Sequence, residues 1–232
     1  MIELIQSMDW GPLILSLKLA LLTSLVLLLI CVPLAWYLVH RSTRTQALSN
    51  AFFALPLVLP PTVIGFYLLL MFSPTSSLGQ LNQALGLAPL AFSFKGLVIA
   101  SCIYSLPFAL QPLQSAFSNV DRRYLEAAAL MGASPVDRFF KVVLPLARTG
   151  IYSALVLSFA HTMGEFGVVL MIGGNIESET RVLSIAIYDH VEALEYDQAA
   201  ILSAFMLGFS MLVLSFLYLF NGSRKSALGA LK

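Results

Sequence analysis

The stretch DRRYLEAAALMGASPVDRFFKVVLPLAR, residues 121–148, gathers charges that the segments on either side lack. Before it, residues 96–120 contain no Asp, Glu, Lys, Arg or His, and neither do 19–39, 51–72 and 198–223. Each of those windows matches or exceeds the roughly 20 apolar residues that cross a hydrocarbon core of about 30 Å. The 232 residues are 59% hydrophobic and only 11% charged, against about 25% charged in a soluble domain, which excludes a soluble globular protein. After the stretch, 149–176 is long enough to cross but carries His161 and Glu165, which are costly at mid-membrane and therefore informative. The sequence thus reads as an all-α, polytopic integral membrane protein with one domain over 1–232. Its spans fall at about 12–39, 51–72, 96–118, 149–176 and 198–220, a count of five with six as the alternative.

Charge orients these spans. With the N-terminus outside, the inner segments hold Arg41, Arg44, Arg122, Arg123, Arg138, Lys141, Arg148, Arg224, Lys225 and Lys232, ten of the 13 basic residues, as the positive-inside rule demands. The C-terminus is then cytoplasmic. Outer segments carry Glu3, Asp9, Glu177, Glu179, Asp189, Glu192, Glu195 and Asp197. The first ten residues have no basic residue and the apolar run beyond Lys18 is too long for a signal h-region, so an uncleaved first helix is expected. Lys18 lies where its long stem can snorkel to the interface. Cys31 and Cys102 fall inside spans and read as small apolar residues. The partly amphipathic run at 180–194 reads as a short helix lying on the outer interface, with a re-entrant segment as the alternative. Turn-forming residues at 73–77 and 86–89 flank another short apolar helix at 78–85.

The charged stretch has its own local logic. Asp121 is a candidate N-cap, 122–131 a helix of good formers, and Gly132 the residue that takes the left-handed conformation past its end. Ser134-Pro135-Val136-Asp137 then reads as N-cap, proline at N1 and an acid at N3, launching a second short helix through Phe139 and Phe140. Val136, Phe139 and Phe140 lie at i, i+3 and i+4 beside Asp137, Arg138 and Lys141. Burying one phenylalanine is worth about 1.5–3 kcal/mol, so this apolar face asks for a cover, either lipid headgroups or a protein groove.

Glu126-Ala127-Ala128, three residues, Gly132, nine residues and Val142-Val143-Leu144-Pro145 resemble the "EAA" loop of ABC importer permeases, with Val142 where isoleucine is usual. The resemblance implies the type I ABC importer permease fold. It also implies a cytoplasmic coupling loop over about 121–146 whose short helix docks into a groove of an ATPase subunit. The coupling residues are then Glu126, Ala127, Ala128, Gly132, Ser134, Pro135, Val136, Phe139, Phe140, Leu144 and Pro145. A second group of motifs is similar to the molybdate/tungstate permease branch, which is related to sulfate permeases, and the likeness runs from about 13 to 219. It comprises Leu55-Pro56-Leu57-Val58-Leu59-Pro60-Pro61-Thr62-Val63-Ile64-Gly65, Gly164-Glu165-Phe166-Gly167, Gly173-Gly174-Asn175-Ile176 and Glu179-Thr180-Arg181. The implied function is import of a tetrahedral oxyanion, molybdate or tungstate, with sulfate or thiosulfate as the alternative. The location implied is the cytoplasmic (inner) membrane of a bacterium or archaeon.

Within the spans, Pro56, Pro60 and Pro61 remove donors and loosen the second crossing, with Gly65 behind them; Ser105, Pro107, Gln111 and Pro112 make the third irregular. His161 and Glu165 lie four residues apart on one helical face. They read either as a proton relay, which would make the chain a secondary transporter, or as a brace in which Glu165 accepts hydrogen bonds from backbone groups freed around Gly164 and Gly167. A carboxylate in the path of a dianion repels it, which favours the brace. Anion handling is expected from neutral donors, with Thr62, Ser105 and Thr162 as candidates. The translocation path or gate is therefore sought among Pro60, Pro61, Thr62, Gly65, Ser105, Thr162, Gly164, Glu165 and Gly167.

The sequence contains no G-x-x-x-x-G-K-[ST] phosphate loop, so no catalytic residue, metal site or cofactor is expected in this chain; ATP and magnesium belong to a partner. Five spans are too few to wall a gated path, so a second copy related by a two-fold axis is expected. The resemblance adds a cytoplasmic ABC ATPase dimer and an extracytoplasmic binding protein of the molybdate type. Lipid surrounds the spans, and nucleic acid is not among the expected partners.

Overall fold

The structure is a computed structural model and describes residues 9–229. Glu3 and Lys232, counted in the charge argument above, lie outside them. Every described element is a helix. The first, α1 (Gly11–Val39), starts with Pro12 in its first turn, where a missing N–H costs nothing. Its 29 residues reach about 43 Å at 1.5 Å each, enough to cross a bilayer. Leu19, Thr23, Leu27, Cys31 and Ala35, every fourth residue, form its buried seam, while Leu21, Leu25, Leu29 and Ile30 are exposed on the other side. A helix apolar on both faces belongs in lipid.

The expected second crossing at 51–72 is not one helix. Ser42 caps α2 (Thr43–Phe53) by accepting from the Thr45 amide, and α3 (Leu55–Val58) is a single turn with Pro56 near its start. Leu59 and Pro60 are extended before α4 (Pro61–Phe72), because a residue preceding proline is pushed out of the helical region. Twelve residues span only about 18 Å. Together with α5 (Ser77–Ala84), bent 46° from it, α4 passes as a broken crossing. By contrast α6 (Phe94–Ser118) runs unbroken through Pro107 and Pro112, so the irregularity expected of the third span does not interrupt it.

After α6 the chain turns through α7 (Arg122–Leu130), α8 (Pro135–Arg138), a π turn (Phe139–Val143) and the short α9 (Leu144–Leu146). The expected span at 149–176 is also divided: α10 (Arg148–Met163) ends at Gly164 and α11 (Gly167–Gly173) restarts after Phe166. The segment from α8 to α9 meets α10 at 69°. Next come α12 (Leu183–Glu192) and α13 (Tyr196–Gly229). Among the described residues, three helices can cross a membrane by length and composition, or up to five if each bent pair is one span. The six-span alternative finds no further candidate among the described residues.

The bundle centre is the three-way packing of α1, α6 and α10, with α11 laid on α4 and α6. One apolar cluster around Phe72, Leu97, Val168 and Ile172 occupies one end; another around Leu27, Leu110, Leu113 and Val143 occupies the elbow end. The helix expected to lie on the outer interface over 180–194 is shorter and deeper. Leu183 and Ile185 are fully buried, Ala186 nearly so, and the Leu183 amide donates to Ser16 Oγ at 2.7 Å.

Candidate functional site

The elbow between α6 and α10 is built by capping. Asp121 Oδ1 accepts from the Arg123 amide at 2.9 Å. At the other end of α7, Gly132 sits at φ +83°; its amide donates to the Ala129 carbonyl and that of Ala133 to Ala128, both at 3.0 Å. These two bonds close a Schellman motif that needs a left-handed residue. Ser134 Oγ accepts from the Asp137 amide at 3.1 Å and donates to Asp137 Oδ2 at 2.6 Å, with Pro135 in the first turn. Pro145 has no amide to donate to Lys141, and the preceding register widens so that the Leu144 amide reaches back to the Phe139 carbonyl.

The expected single apolar face divides in two. Phe139 turns inward, its ring 5.4 Å from Trp36 and 6.2 Å from Phe117, with Val143 fully buried behind it and Leu144 against the same cluster. Phe140 and Val136 face outward, 60% and 64% exposed, beside Leu130 at 90% and Met131 at 82%. Ala128 is buried where α7 meets the bundle, while Ala127, Pro135 and Pro145 are exposed. Glu126 is exposed and, among the described residues, pairs only with Arg122 at 3.1 Å. Arg138 Nε finds no acceptor among the described residues. Trp36 and Phe117, which anchor the elbow, escaped the sequence reading; their only signal was an aromatic at the elbow end of each span.

Electrostatics reinforce the second cap. The Lys141 ammonium, 2.5 Å from Asp137, and then the Ser134 hydroxyl hold the Asp137 carboxyl below its ordinary 3.8. A depressed carboxylate contributes its stabilisation above the ordinary value and loses it as pH falls through the lowered one. Rate-corrected hydrogen exchange at the Asp137 amide is therefore expected to be flat from pH 8 to about 5 and to rise only in strong acid, below the ordinary aspartate range. In Asp137→Asn the acid step should vanish; a step near neutrality would contradict the assignment.

The second site lies inside the bundle at the break between α10 and α11. Glu165 is 3% exposed. Its Oε2 accepts from Ser101 Oγ at 2.6 Å and its Oε1 from Ser105 Oγ at 2.5 Å. Its backbone carbonyl accepts from Ser184 Oγ at 2.5 Å. One side chain and one carbonyl thus tie α6, the break and α12 together. The expected partners were backbone groups freed around Gly164 and Gly167; the actual ones are hydroxyls from α6, a correction that keeps the brace and changes its donors. Having one proton, committed to Glu165, Ser105 Oγ receives His161 Nδ1 at 2.8 Å and Thr162 Oγ1 at 2.9 Å as donors. His161 stacks on Phe108 with centroids 3.8 Å apart and lies against Tyr104. Ser101, Tyr104, Phe108 and Ser184 were not legible as site residues.

Beside the brace is an open groove of about 530 Å³ lined by Pro61, Thr62, Tyr104, His161, Gly164, Glu165 and Gly167. Thr62 is exposed there, whereas Ser105 and Thr162 are buried and engaged with one another; of the three expected neutral donors, only Thr62 faces the groove. Pro60 is exposed just before it. Gly65 is not among the residues lining this groove. A Cβ there would come within 2.7 Å of Met171 Cβ, and one at Gly167 within 2.9 Å of Pro61 Cβ, so these glycines let α4 and α11 approach.

Residues 28–222 match the family model described as binding-protein-dependent transport system inner membrane component. The chain is 54% identical over 210 residues to the molybdenum transport system permease protein ModB of Azotobacter vinelandii, covering 90% of this chain and 93% of that one. It is 35% identical to the protein of the same name from Escherichia coli K12, over 79% and 80% of the two chains. Against the sulfate transport system permease protein CysT of Salmonella typhimurium the identity is 31%, over 76% of this chain and 65% of that one. In fold it is similar to a chain of the bacterial alginate ABC transporter, solved in complex with an alginate pentasaccharide-bound periplasmic protein, with a TM-score of 0.69, 19% identity and coverage of 93% and 79%. Broken crossings around a glycine-capped elbow and a family match through most of the sequence agree: the chain belongs to the binding-protein-dependent transport system inner membrane components, as the permease subunit of an ABC importer.

Proposed function

We propose that this permease imports molybdate, as a homodimer powered by a cytoplasmic ABC ATPase dimer and supplied by an extracytoplasmic binding protein, with its elbow and C-terminus in the cytoplasm. The observation that carries the assembly is the uncovered apolar face of the elbow, Leu130, Met131, Val136 and Phe140, on a corner whose caps hold it rigid. An apolar face on a rigid corner suits a protein groove. The cargo rests on the names of the similar permeases, with molybdenum ahead of sulfate in identity. It also suits the groove beside Glu165, which offers Thr62 and glycine backbone but no lysine or arginine. Neutral donors replace hydration without trapping a dianion. Glu165 turns its charge toward Ser101 and Ser105, which moderates its repulsion of the cargo.

Closure of the ATPase dimer on ATP pulls the docked α8 segments together. Phe139, wedged on Trp36 and Phe117, passes that motion to α1 and α6, and the spans open outward. Reconstituting the permease with its ATPase and a molybdate-type binding protein should give molybdate-stimulated ATP hydrolysis and uptake, with a weaker response to sulfate. Stimulation by sulfate alone would move the chain to the sulfate branch. Uptake by the chain without ATPase, driven by a pH gradient, would instead support a secondary transporter using His161 and Glu165.

A further inference from the structure

Three of the 13 basic residues fall outside the segments that charge assigns to the inner side: Lys18, Lys95 and Arg181. Arg181 is held by Asn175 Oδ1 at 2.7 Å and by Asp189 at 3.4 Å. Lys18 and Lys95 are exposed, and neither has an ion-pair partner among the described residues. Phe94 links them. Lys18 Nζ lies 4.9 Å from the centre of the Phe94 ring, and Lys95 is the next residue.

Lys95 lines a groove of about 330 Å³ along the seam of α1 and α6, with Leu22, Leu87, Phe94, Val98 and Ile99 among its walls, and the Lys18 amine lies over the Phe94 ring of that wall. Leu22 follows Lys18 by four residues and Ile99 follows Lys95 by four, so on each helix the apolar wall lies one turn deeper than the amine. α1 and α6 start at the same end, so both amines share one rim. The outer wall is preformed: Asn82 Nδ2 donates to the Ala88 carbonyl at 2.7 Å, and Ser93 Oγ to that of Leu90 at 2.8 Å. An apolar trough with two unpaired ammonium groups at one rim matches an anion that carries hydrocarbon. A free phosphate would leave the trough bare, and a second copy of this chain would have to supply an acid against two lysines that the contact itself would bury.

We propose that this seam binds an anionic phospholipid, its headgroup phosphate between Lys18 and Lys95 and an acyl chain along Leu22 and Ile99. The site requires only that the chain spans a membrane, so it stands or falls independently of the cargo. At about fivefold in affinity per lysine, native mass spectrometry of the detergent-purified permease should retain phosphatidylglycerol about tenfold or more over phosphatidylcholine of the same chains. Lys18→Gln with Lys95→Gln should erase the preference at an unchanged unfolding temperature. Ile99→Trp, which fills the trough and spares the amines, should lower retention of both lipids. Undiminished phosphatidylglycerol preference in the double variant would overturn the site. So would displacement of the lipid by millimolar glycerol phosphate, which would assign the amines to a free anion, or efficient cross-linking between Ile99→Cys chains, which would seat a second copy there.

Discussion

Glu165→Ala is expected to lower the unfolding temperature and abolish substrate-coupled ATP hydrolysis. The carboxylate accepts from Ser101 and Ser105, and its removal strands two hydroxyls in the interior. A buried polar group left without its partner costs about 1–3 kcal/mol. Two circumstances reduce that figure. Serine can turn its hydroxyl to a carbonyl of its own helix, and interhelical hydrogen bonds in bilayers average only about 0.6 kcal/mol with a maximum near 1.7. A net loss of about 2–4 kcal/mol follows once the cavity left by the side chain is added.

Function should suffer beyond stability, because the same residue sets the break between α10 and α11 beside the groove. Glu165→Gln keeps one acceptor oxygen and should fall between wild type and alanine. A double-mutant cycle with Ser101→Ala should show at least about 0.5 kcal/mol of coupling, as expected for residues in direct contact. Thermal unfolding in detergent and molybdate-dependent ATPase rates read both effects. An unfolding temperature unmoved by Glu165→Ala would mean that the hydroxyls do not depend on it.

The elbow was largely readable because each of its devices acts over a few residues. The Asp121 and Ser134 caps, Pro135 and Gly132 obey local rules, and the hydrogen bonds they predict are present. Hydropathy located the membrane segments but was blind to their breaks, since 51–72 is apolar whether it forms one helix or three. Prolines alone do not decide that question. Pro107 and Pro112 sit inside an unbroken α6, while the adjacent Pro60 and Pro61 end one element and start another, because Leu59 and Pro60 each precede a proline. Glu165 was legible as an exception; its partners, Ser101 and Ser105, were not, since serine in an apolar helix carries no mark of what it will meet about sixty residues away. The split between Phe139 and Phe140 needed the azimuth of α8 against Trp36 and Phe117, a long-range quantity.

Phe139→Ala and Phe140→Ala, adjacent in sequence, are expected to fail in different ways. Phe139 is wedged between Trp36 and Phe117. A fully buried Phe→Ala costs about 3–5 kcal/mol, and the half-buried Phe139 should cost about 2, seen as a lower unfolding temperature of the permease alone. Among the described residues Phe140 makes its one ring contact with Phe139, and it is mostly exposed, so its loss should leave that temperature nearly unchanged. Its penalty should appear on docking. An aromatic anchor seated in a partner's groove typically contributes 2 kcal/mol or more, which is more than a tenfold loss of affinity for the ATPase subunit. Gly132→Val provides a third pattern. A Cβ there meets no neighbouring atom, so the change acts only through the backbone at φ +83°, where a β-branched residue is strained by about 1–2 kcal/mol. It should swing α8 off its axis and weaken docking with little loss of bundle stability. Unfolding temperatures of the isolated permease and co-purification with the ATPase distinguish the three. If Phe140→Ala leaves ATPase affinity and stimulation intact, the outward face is not the contact, and the motion proposed to pass through Phe139 has no external source at this corner.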